Sequence, residues 1–206
     1  MNRPPLVNPQ PPRRSTSWLP IAAAVGVVVI LLAVGAYFLL SRPVATQTAA
    51  GVTPAAQNGG AINLGTLQTN EGQTHVPEGS VIQYVNNPPS SGNHYPSPKP
   101  WGVYTDPIVP GYWVHNLEHG GVVVLYDCPQ GCPEVTQVVQ NALTTFPKDN
   151  FGEVKLVSTP YSGLPNGART AAVAWNWVAT FPGSITMDQL QAFYTAHVDR
   201  SPENIP

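Results

Sequence analysis

The feature that most constrains this chain is an uncharged apolar segment at residues 19–40, LPIAAAVGVVVILLAVGAYFLL. At about 1.5 Å per residue, a helix of this length extends about 33 Å, which is enough to cross a hydrocarbon core of about 30 Å. The segment is longer than the apolar core of about 7–15 residues in a cleaved signal peptide, and a long proline-rich leader precedes it. It therefore predicts a retained transmembrane helix, with a signal peptide as the alternative.

The distribution of basic residues predicts the orientation of this span. Arg3, Arg13 and Arg14 precede it, whereas Arg42 is the single basic residue between the span and Lys99. Because basic residues are retained on the cytoplasmic side, the N-terminus should be cytoplasmic. We therefore expect a single-pass protein of the cell membrane whose C-terminal domain is extracytoplasmic.

The composition on either side of the span divides the rest of the chain. Residues 1–18 and 41–62 are rich in proline, glycine or small polar residues, and neither shows apolar periodicity. Such segments cannot bury enough apolar surface to fold, so they predict a disordered cytoplasmic tail and a flexible linker. Residues 63–206 remain as an extracytoplasmic globular domain, long enough for one core.

The charge of this predicted domain bears on its partners. All eleven acidic residues follow the span, against five basic residues within 63–206. A nucleic-acid-binding surface needs clustered lysines and arginines to neutralise phosphates. The sequence therefore predicts the membrane as a partner, argues against nucleic acid, and leaves any protein partner undefined.

Alternation and apolar runs predict the strands of the domain. Ser80–Val85 alternates and is predicted as a strand, and a long loop rich in proline and glycine follows it. Gly121–Tyr126 is a continuous apolar run, typical of a strand buried on both faces. Val154–Ser158 is predicted as a strand, and Thr170–Thr180 as another because apolar residues alternate along it, with a helix as the alternative.

Two amphipathic segments predict helices. Glu134–Phe146 places its apolar residues on one helical face, and Pro133 lies in its first turn. Thr186 and Gln189 form a capping-box pattern that begins a last helix. The order β-α-β-β-α predicts an α+β fold, a mixed β-sheet with two helices preceded by a loop region, and it is compatible with a thioredoxin-like arrangement.

The histidines are the strongest candidates for functional residues. His94 follows PPSSGN, and His115 and His119 flank Glu118 in HNLEHGG. Imidazole and carboxylate groups are the usual ligands of zinc and Cu²⁺. We therefore predict a metal site of His94, His115 and His119, with Glu118 as a ligand or as a partner that orients an imidazole. His75 is either an additional ligand or an exposed loop residue, and the alternative for the whole set is a polar loop without metal.

HNLEH also matches the H-x-x-E-H pattern of one class of zinc metalloproteases. That pattern requires a helix to present its groups together. Pro110 and Gly111 precede the motif, and Gly120 and Gly121 follow it, which leaves room for barely one turn. The sequence therefore argues against a protease and favours a compact turn before a buried strand.

Cys128 and Cys132 are the two cysteines of the chain, and they lie between a predicted strand and a predicted helix. Outside the cytoplasm such a pair predicts a disulfide, either as a structural cross-link or as a redox pair. Strand, CPxxCP and helix together resemble the Sco-type copper chaperones, which carry Cys-x3-Cys, over about twenty residues. The resemblance implies a thiol–disulfide or copper-delivery module, although it identifies no distant histidine ligand.

Several motifs together resemble a bacterial family of membrane-anchored extracytoplasmic domains of unknown function. They are PPSSGNHY, GVY, VHNLEHGGVVVLY, AW at Ala174–Trp175 and PE at Pro202–Glu203, and they span about residues 75–203. The resemblance implies no activity, but it marks the histidines and the glutamate of the first and third motifs as signature positions. We therefore expect a zinc- or copper-binding domain, with a redox module or a non-catalytic interaction domain as alternatives, and catalysis stays undecided.

Overall fold

A computed structural model describes residues 61–203 and 205–206. The predicted tail 1–18, the predicted transmembrane helix 19–40 and nearly all of the predicted linker 41–62 lie outside the described residues. Within the described part, no helix combines the length and the apolar character that crossing a membrane requires.

The described residues form a mixed α+β domain with six strands and three α-helices, which confirms the predicted class. The strands are β1 (Thr66–Leu67), β2 (Gly102–Val103), β3 (Val122–Tyr126), β4 (Leu156–Pro160), β5 (Thr170–Ala174) and β6 (Trp177–Phe181). The helices are α1 (Pro110–Glu118), α2 (Pro133–Thr145) and α3 (Met187–His197). The sheet order is β1-β6-β5-β3-β4-β2, in which β2, β3 and β4 are parallel and the other neighbours are antiparallel.

Strand β3 lies at the centre of the core, and all five of its residues are buried. Val122 and Val124 pack on one face in the same cluster as residues of α2 and α3, whereas Val123 and Leu125 pack on the other face with residues of α1. A strand covered on both faces needs apolar side chains at every position, which is why the run shows no alternation. The prediction of a doubly buried strand at Gly121–Tyr126 is confirmed.

Both predicted helices are present. Helix α2 begins at Pro133 and ends at Thr145, one residue before each predicted boundary. At the start of α3, the Thr186 hydroxyl accepts the backbone N–H of Gln189, and the Gln189 side chain accepts the backbone N–H of Thr186. These reciprocal bonds satisfy two N–H groups that a helix end leaves free, so the capping-box prediction is confirmed.

The prediction of one strand over Thr170–Thr180 is wrong, because the segment is a hairpin. The chain turns at Trp175 and Asn176, and Asn176 has φ 62°, as tight hairpin turns require. A two-residue turn inverts the parity of the alternation, so Val173 pairs with Val178 on the same face. The regular alternation across the turn therefore does not correspond to one face.

The predicted strand Ser80–Val85 is also wrong. Val81 and Val85 are 85% and 89% exposed, and no strand among the described residues pairs with the segment. The backbone N–H groups of Val85 and Asn86 instead donate to the carboxylate of Glu71 at 2.8 Å each. The Glu71 carboxylate thus accepts hydrogen bonds that a neighbouring strand would accept in a sheet. Exposed and partly buried residues do alternate along the segment, as the sequence pattern indicates.

The prediction of two helices is wrong in number, because the structure has a third helix, α1. Pro110 occupies its first turn, where the missing N–H costs nothing. Trp113, Val114 and Leu117 are fully buried and belong to the core cluster that contains β3 and β5 residues. Because this packing stabilises a short helix that local propensity alone does not predict, the predicted compact turn at HNLEH is wrong.

Candidate metal centre

Four side chains from three segments of the chain converge on one point. His75, His94, His115 and Glu118 each contribute one ligand atom, and these atoms all lie within 4.8 Å of one another. His115 and Glu118 are three residues apart in the last turn of α1 and so share a helical face. His75 and His94 come from two loops that meet in an isolated parallel bridge. Helix α1 and this bridge together position the donor cluster.

His94 is fully buried and makes two close contacts. Its Nδ1 lies 2.8 Å from the carbonyl oxygen of Gly92, and its Nε2 lies 2.8 Å from Oε2 of Glu118. A carbonyl oxygen can only accept, so the proton of the neutral ring is at Nδ1 and Nε2 carries a lone pair. This is the tautomer in which a histidine binds a metal through Nε2.

His115 is arranged in the same way. Its Nδ1 donates to the carbonyl oxygen of Tyr95 at 2.6 Å, so Nε2 of the neutral ring carries a lone pair. Burial lowers the pKa of His115 from its ordinary value of 6.5 to about 4, and the other imidazoles add to this effect. His115 is therefore neutral at pH 7, as a metal ligand must be.

Glu118 places a carboxylate inside the domain, where its side chain is 2% exposed. Its Oε2 lies 2.8 Å from Nε2 of His94 and 3.5 Å from Nε2 of His75. Among residues 61–203 and 205–206, no lysine or arginine forms an ion pair with it. A buried carboxylate is costly unless it is paired with a cation, so this environment is suited to a positive ion.

His119 lies directly beside the donor cluster without belonging to it. It is the C-cap residue of α1, and its Nε2 lies 2.8 Å from Nε2 of His115. Its Nδ1 donates to the carbonyl oxygen of Pro206 at 2.8 Å, and the carboxylate of Glu203 lies 3.7 Å from its Nε2. Burial lowers the pKa of His119 as well. Five polar groups are thus packed at the end of one helix.

The two glycines of HNLEHGG allow α1 to end directly against β3. Gly120 has φ +85°, and a Cβ there would lie 2.8 Å from Cα of Asp199. A Cβ at Gly121 would lie 2.5 Å from the ring of Trp101 and 2.8 Å from the carbonyl oxygen of Asn116. Glycine at these two positions therefore permits the close packing of the end of α1 against β3.

A buried lysine holds the end of α1, and the sequence gives no signal for it. Lys155 is fully buried, and its Nζ donates to the carbonyl oxygen of His119 at 3.0 Å. The same ammonium pairs with carboxylate oxygens of Asp199 at 2.8 Å and Asp149 at 3.3 Å. A cation at a helix C-terminus is favourable, so Lys155 helps to position the residues beside it.

The predicted site residues can now be located. His94, His115 and Glu118 meet, His119 is adjacent, and His75 faces the cluster although its side chain is 46% exposed. The bridge that brings His75 close is a tertiary contact, so sequence spacing could not reveal it. The expectation that HNLEH has no room for a helix is wrong, because α1 extends through Glu118. Glu118, however, lies among the ligand atoms of this cluster, and His119 lies outside it.

Cys128 and Cys132 form a disulfide, as predicted. Cys132 is buried at the start of α2, whereas Cys128 is partly exposed. The donor cluster precedes β3 and the disulfide follows it, so the two lie at opposite ends of a strand about 17 Å long. The structure therefore does not combine the cysteines and the histidines in one site.

The sequence profile of a family described as "Protein of unknown function (DUF3105)" matches residues 75–205. The match covers more than half of the chain and includes the whole donor cluster, so the chain belongs to this family. No curated protein and no solved structure shows significant similarity to the chain. Membership of a family of unknown function agrees with the resemblance in the sequence, whereas the signatures and the membrane anchor remain predictions.

Proposed function

We propose that this DUF3105 domain binds one divalent transition-metal ion through His75, His94, His115 and Glu118. The observation that supports this function most strongly is the convergence of four ligand atoms within 4.8 Å. Three imidazoles and one carboxylate are a donor set that transition metals bind well. Helix α1 packs in the folded core and His94 is fully buried, so three of the four donors are preorganised.

The protonation pattern of the cluster supports the same proposal. Nε2 of His94 and Oε2 of Glu118 are both acceptors when the proton of His94 is at Nδ1, yet they lie 2.8 Å apart. Two acceptors at this distance repel each other unless a proton or a metal ion lies between them. A metal ion satisfies both, and it compensates the buried charge of Glu118 at the same time.

The donor types narrow the choice of metal. Nitrogen and oxygen donors suit Zn²⁺ and Cu²⁺, whereas Cu⁺ prefers thiolates and thioethers. In the described part of the chain, the two cysteines are joined in a disulfide, and the one methionine, Met187, begins helix α3. We therefore propose zinc or Cu²⁺ as the resident ion. Bound there, the ion would supply Lewis acidity beside the partly exposed His75.

Metal analysis of the full-length protein tests this proposal. We expect about one equivalent of zinc or copper after purification without chelators, and uptake of one equivalent by the metal-free protein. His94→Ala should abolish stoichiometric binding. His197→Ala is the matched control, because His197 is a buried histidine that contacts the carbonyl oxygen of Leu64 and not the cluster. Failure of the wild type to take up either ion would refute the proposal.

We further propose that residues 19–40 anchor the protein in the cell membrane, with the N-terminus cytoplasmic and the metal domain outside. The support is the apolar length of the segment and the arginines that precede it. A membrane partner and an extracytoplasmic location follow from that topology. Protease treatment of intact cells should remove the domain and leave the N-terminus protected, and protection of both ends would contradict it.

A second candidate function is thiol–disulfide exchange by Cys128 and Cys132. The strand order β4-β3-β5-β6, with β3 and β4 parallel and α2 between them in sequence, is compatible with a thioredoxin-like arrangement. The cysteines lie where β3 ends and α2 begins, where a helix dipole stabilises a thiolate. Copper delivery is less well supported, because the donor cluster is at the other end of β3. A disulfide that resists mild reductants would count against exchange.

A further inference from the structure

We propose that His75 is a displaceable ligand of the metal, and that a small anion from solution binds the ion at the position that His75 vacates. This inference rests on the proposed metal-binding function and specifies which ligands the ion keeps. It starts from a difference in exposure among the donors. The side chains of His94 and Glu118 are 0% and 2% exposed, whereas that of His75 is 46% exposed.

The buried imidazoles are anchored by hydrogen bonds, and the exposed one is not. Nδ1 of His94 and Nδ1 of His115 each donate to a backbone carbonyl oxygen, at 2.8 and 2.6 Å. Among the described residues, the ring of His75 has no such bond, and its Nε2 lies 3.5 Å from Oε2 of Glu118. The same oxygen lies 2.8 Å from Nε2 of His94. The ring of His75 is therefore held less firmly than the other two.

The backbone beside His75 is fixed independently of its ring. The N–H of Val76 donates to the carbonyl oxygen of His94 at 2.9 Å, and the N–H of His94 donates to that of Thr74 at 3.1 Å. Because these bonds join backbone atoms alone, the ring of His75 can rotate into solvent while the bridge between the loops stays closed. That movement costs one metal bond and the stacking of the ring on His115, at a centroid distance of 4.9 Å. It breaks no buried hydrogen bond.

The three remaining donors keep the ion in place when His75 leaves. They are two imidazoles and one carboxylate, from His94, His115 and Glu118. Three protein ligands with one open position are typical of catalytic zinc sites, whereas structural zinc sites are closed by four. Because Glu118 is the one anionic ligand, a divalent ion keeps one net positive charge, which attracts an anion in a buried site. The ligand class is thus a small monovalent anion, such as a carboxylate.

Azide binding to the copper-loaded, full-length protein tests the inference. Azide is a small monovalent anion, and its bond to Cu²⁺ gives a charge-transfer band that neither component has alone. We expect a band that saturates at one azide per copper ion, whereas weakly coordinating perchlorate at the same ionic strength should give none. Co²⁺, whose visible spectrum also responds to azide, replaces Cu²⁺ if the protein takes up zinc but no copper.

Two variants assign the open position to His75. His75→Ala should retain one equivalent of metal and bind azide at least about tenfold more tightly than the wild type, because an imidazole no longer competes for the position. Added imidazole should compete with azide in this variant. His197→Ala is the control and should keep the wild-type affinities for metal and azide, because His197 contacts the carbonyl oxygen of Leu64 and not the cluster.

The outcomes separate this inference from the proposed function. Loss of metal in His75→Ala as complete as in His94→Ala would overturn the inference and leave the metal site intact. Equal azide affinities of His75→Ala and the wild type, or no azide binding by either, would do the same. No uptake of Zn²⁺, Cu²⁺ or Co²⁺ by the wild type would overturn both proposals. If His75→Ala does not fold, His75→Gln takes its place in the same comparison.

Discussion

The two ends of strand β3 carry the two chemically distinctive features of the described domain, and they are built differently. Before β3, the donor cluster gathers buried polar side chains from α1 and two separate loops. After β3, the disulfide joins two residues of one short loop, with a Cα–Cα distance of 5.8 Å. The cluster thus needs the complete tertiary structure, whereas the disulfide needs only a local turn.

The two features have opposite effects on stability. The donor cluster without metal destabilises the fold, whereas the disulfide stabilises it. Buried imidazoles and a buried carboxylate lower the stability of the metal-free fold unless an ion compensates them. A disulfide constrains the unfolded chain and stabilises whatever fold it links. Groups that cost stability and still converge are expected at functional sites, which is why we place the function at the cluster.

The largest expected effect is on metal affinity. Glu118→Gln keeps the size of the side chain but removes its charge, so we expect the affinity for Zn²⁺ or Cu²⁺ to fall by more than the factor of about 10–100 typical of outer-shell partners. The metal-free variant should be as stable as the wild type or more stable, because a buried charge is gone. Competition titration and urea unfolding measure both. Glu134→Gln is the control, because Glu134 contacts Arg169 and Ser184 and not the cluster. A Glu118→Gln variant that still binds the ion tightly and is less stable than the wild type would contradict the contrast.

The second-largest expected effect is on the free energy of unfolding, through the buried lysine at the C-terminal end of α1. Lys155→Met should destabilise the protein by about 3–5 kcal/mol, because it leaves the carboxylates of Asp199 and Asp149 without their buried cation. Lys148→Met removes an exposed lysine nearby and should change the free energy of unfolding by less than about 0.5 kcal/mol. Equal effects of the two substitutions in urea unfolding would show that the buried ion network does not hold α1.

The metal-free protein should lose stability as the pH falls. The pKa of His115 is about 4 in the folded state against 6.5 ordinarily, so between these values the unfolded chain binds a proton that the folded chain does not. Stability is present above pH 6.5 and is lost towards pH 4, by at most about 3 kcal/mol from this residue. Urea unfolding at about pH 7 and about pH 5 measures the slope, and His115→Gln should reduce it. An identical slope in both proteins would exclude His115 as a source.

The smallest effect is expected at the other end of β3. Replacing Cys128 and Cys132 together by serine should lower the free energy of unfolding by about 2 kcal/mol, as the chain-entropy relation gives for a loop of this length. Metal affinity should be unchanged, because the cluster lies at the other end of β3, a strand about 17 Å long. Calorimetry and metal titration of the double variant check both expectations. A large loss of affinity would show that the two ends are coupled.

The sequence predicted those elements whose signals are local. The apolar run of β3, the amphipathic face of α2 and the capping box at Thr186 each lie within a short segment, and all three are present. The hairpin of β5 and β6 was missed because its two-residue turn carries no glycine, and its alternation continues through Asn176 with inverted parity. Helix α1 was missed because packing of Trp113 and Leu117 stabilises it, which local propensity does not report.

By itself, the sequence determined which groups are available: five histidines, a glutamate between two of them and two cysteines close enough to join. Only the tertiary structure decided which of these groups meet. It turned HNLEH into a helix end, brought His75 to His94 through a bridge between two loops, and placed the disulfide at the far end of β3. The physical reason is that metal donors must converge within a few ångströms, and convergence depends on long-range packing.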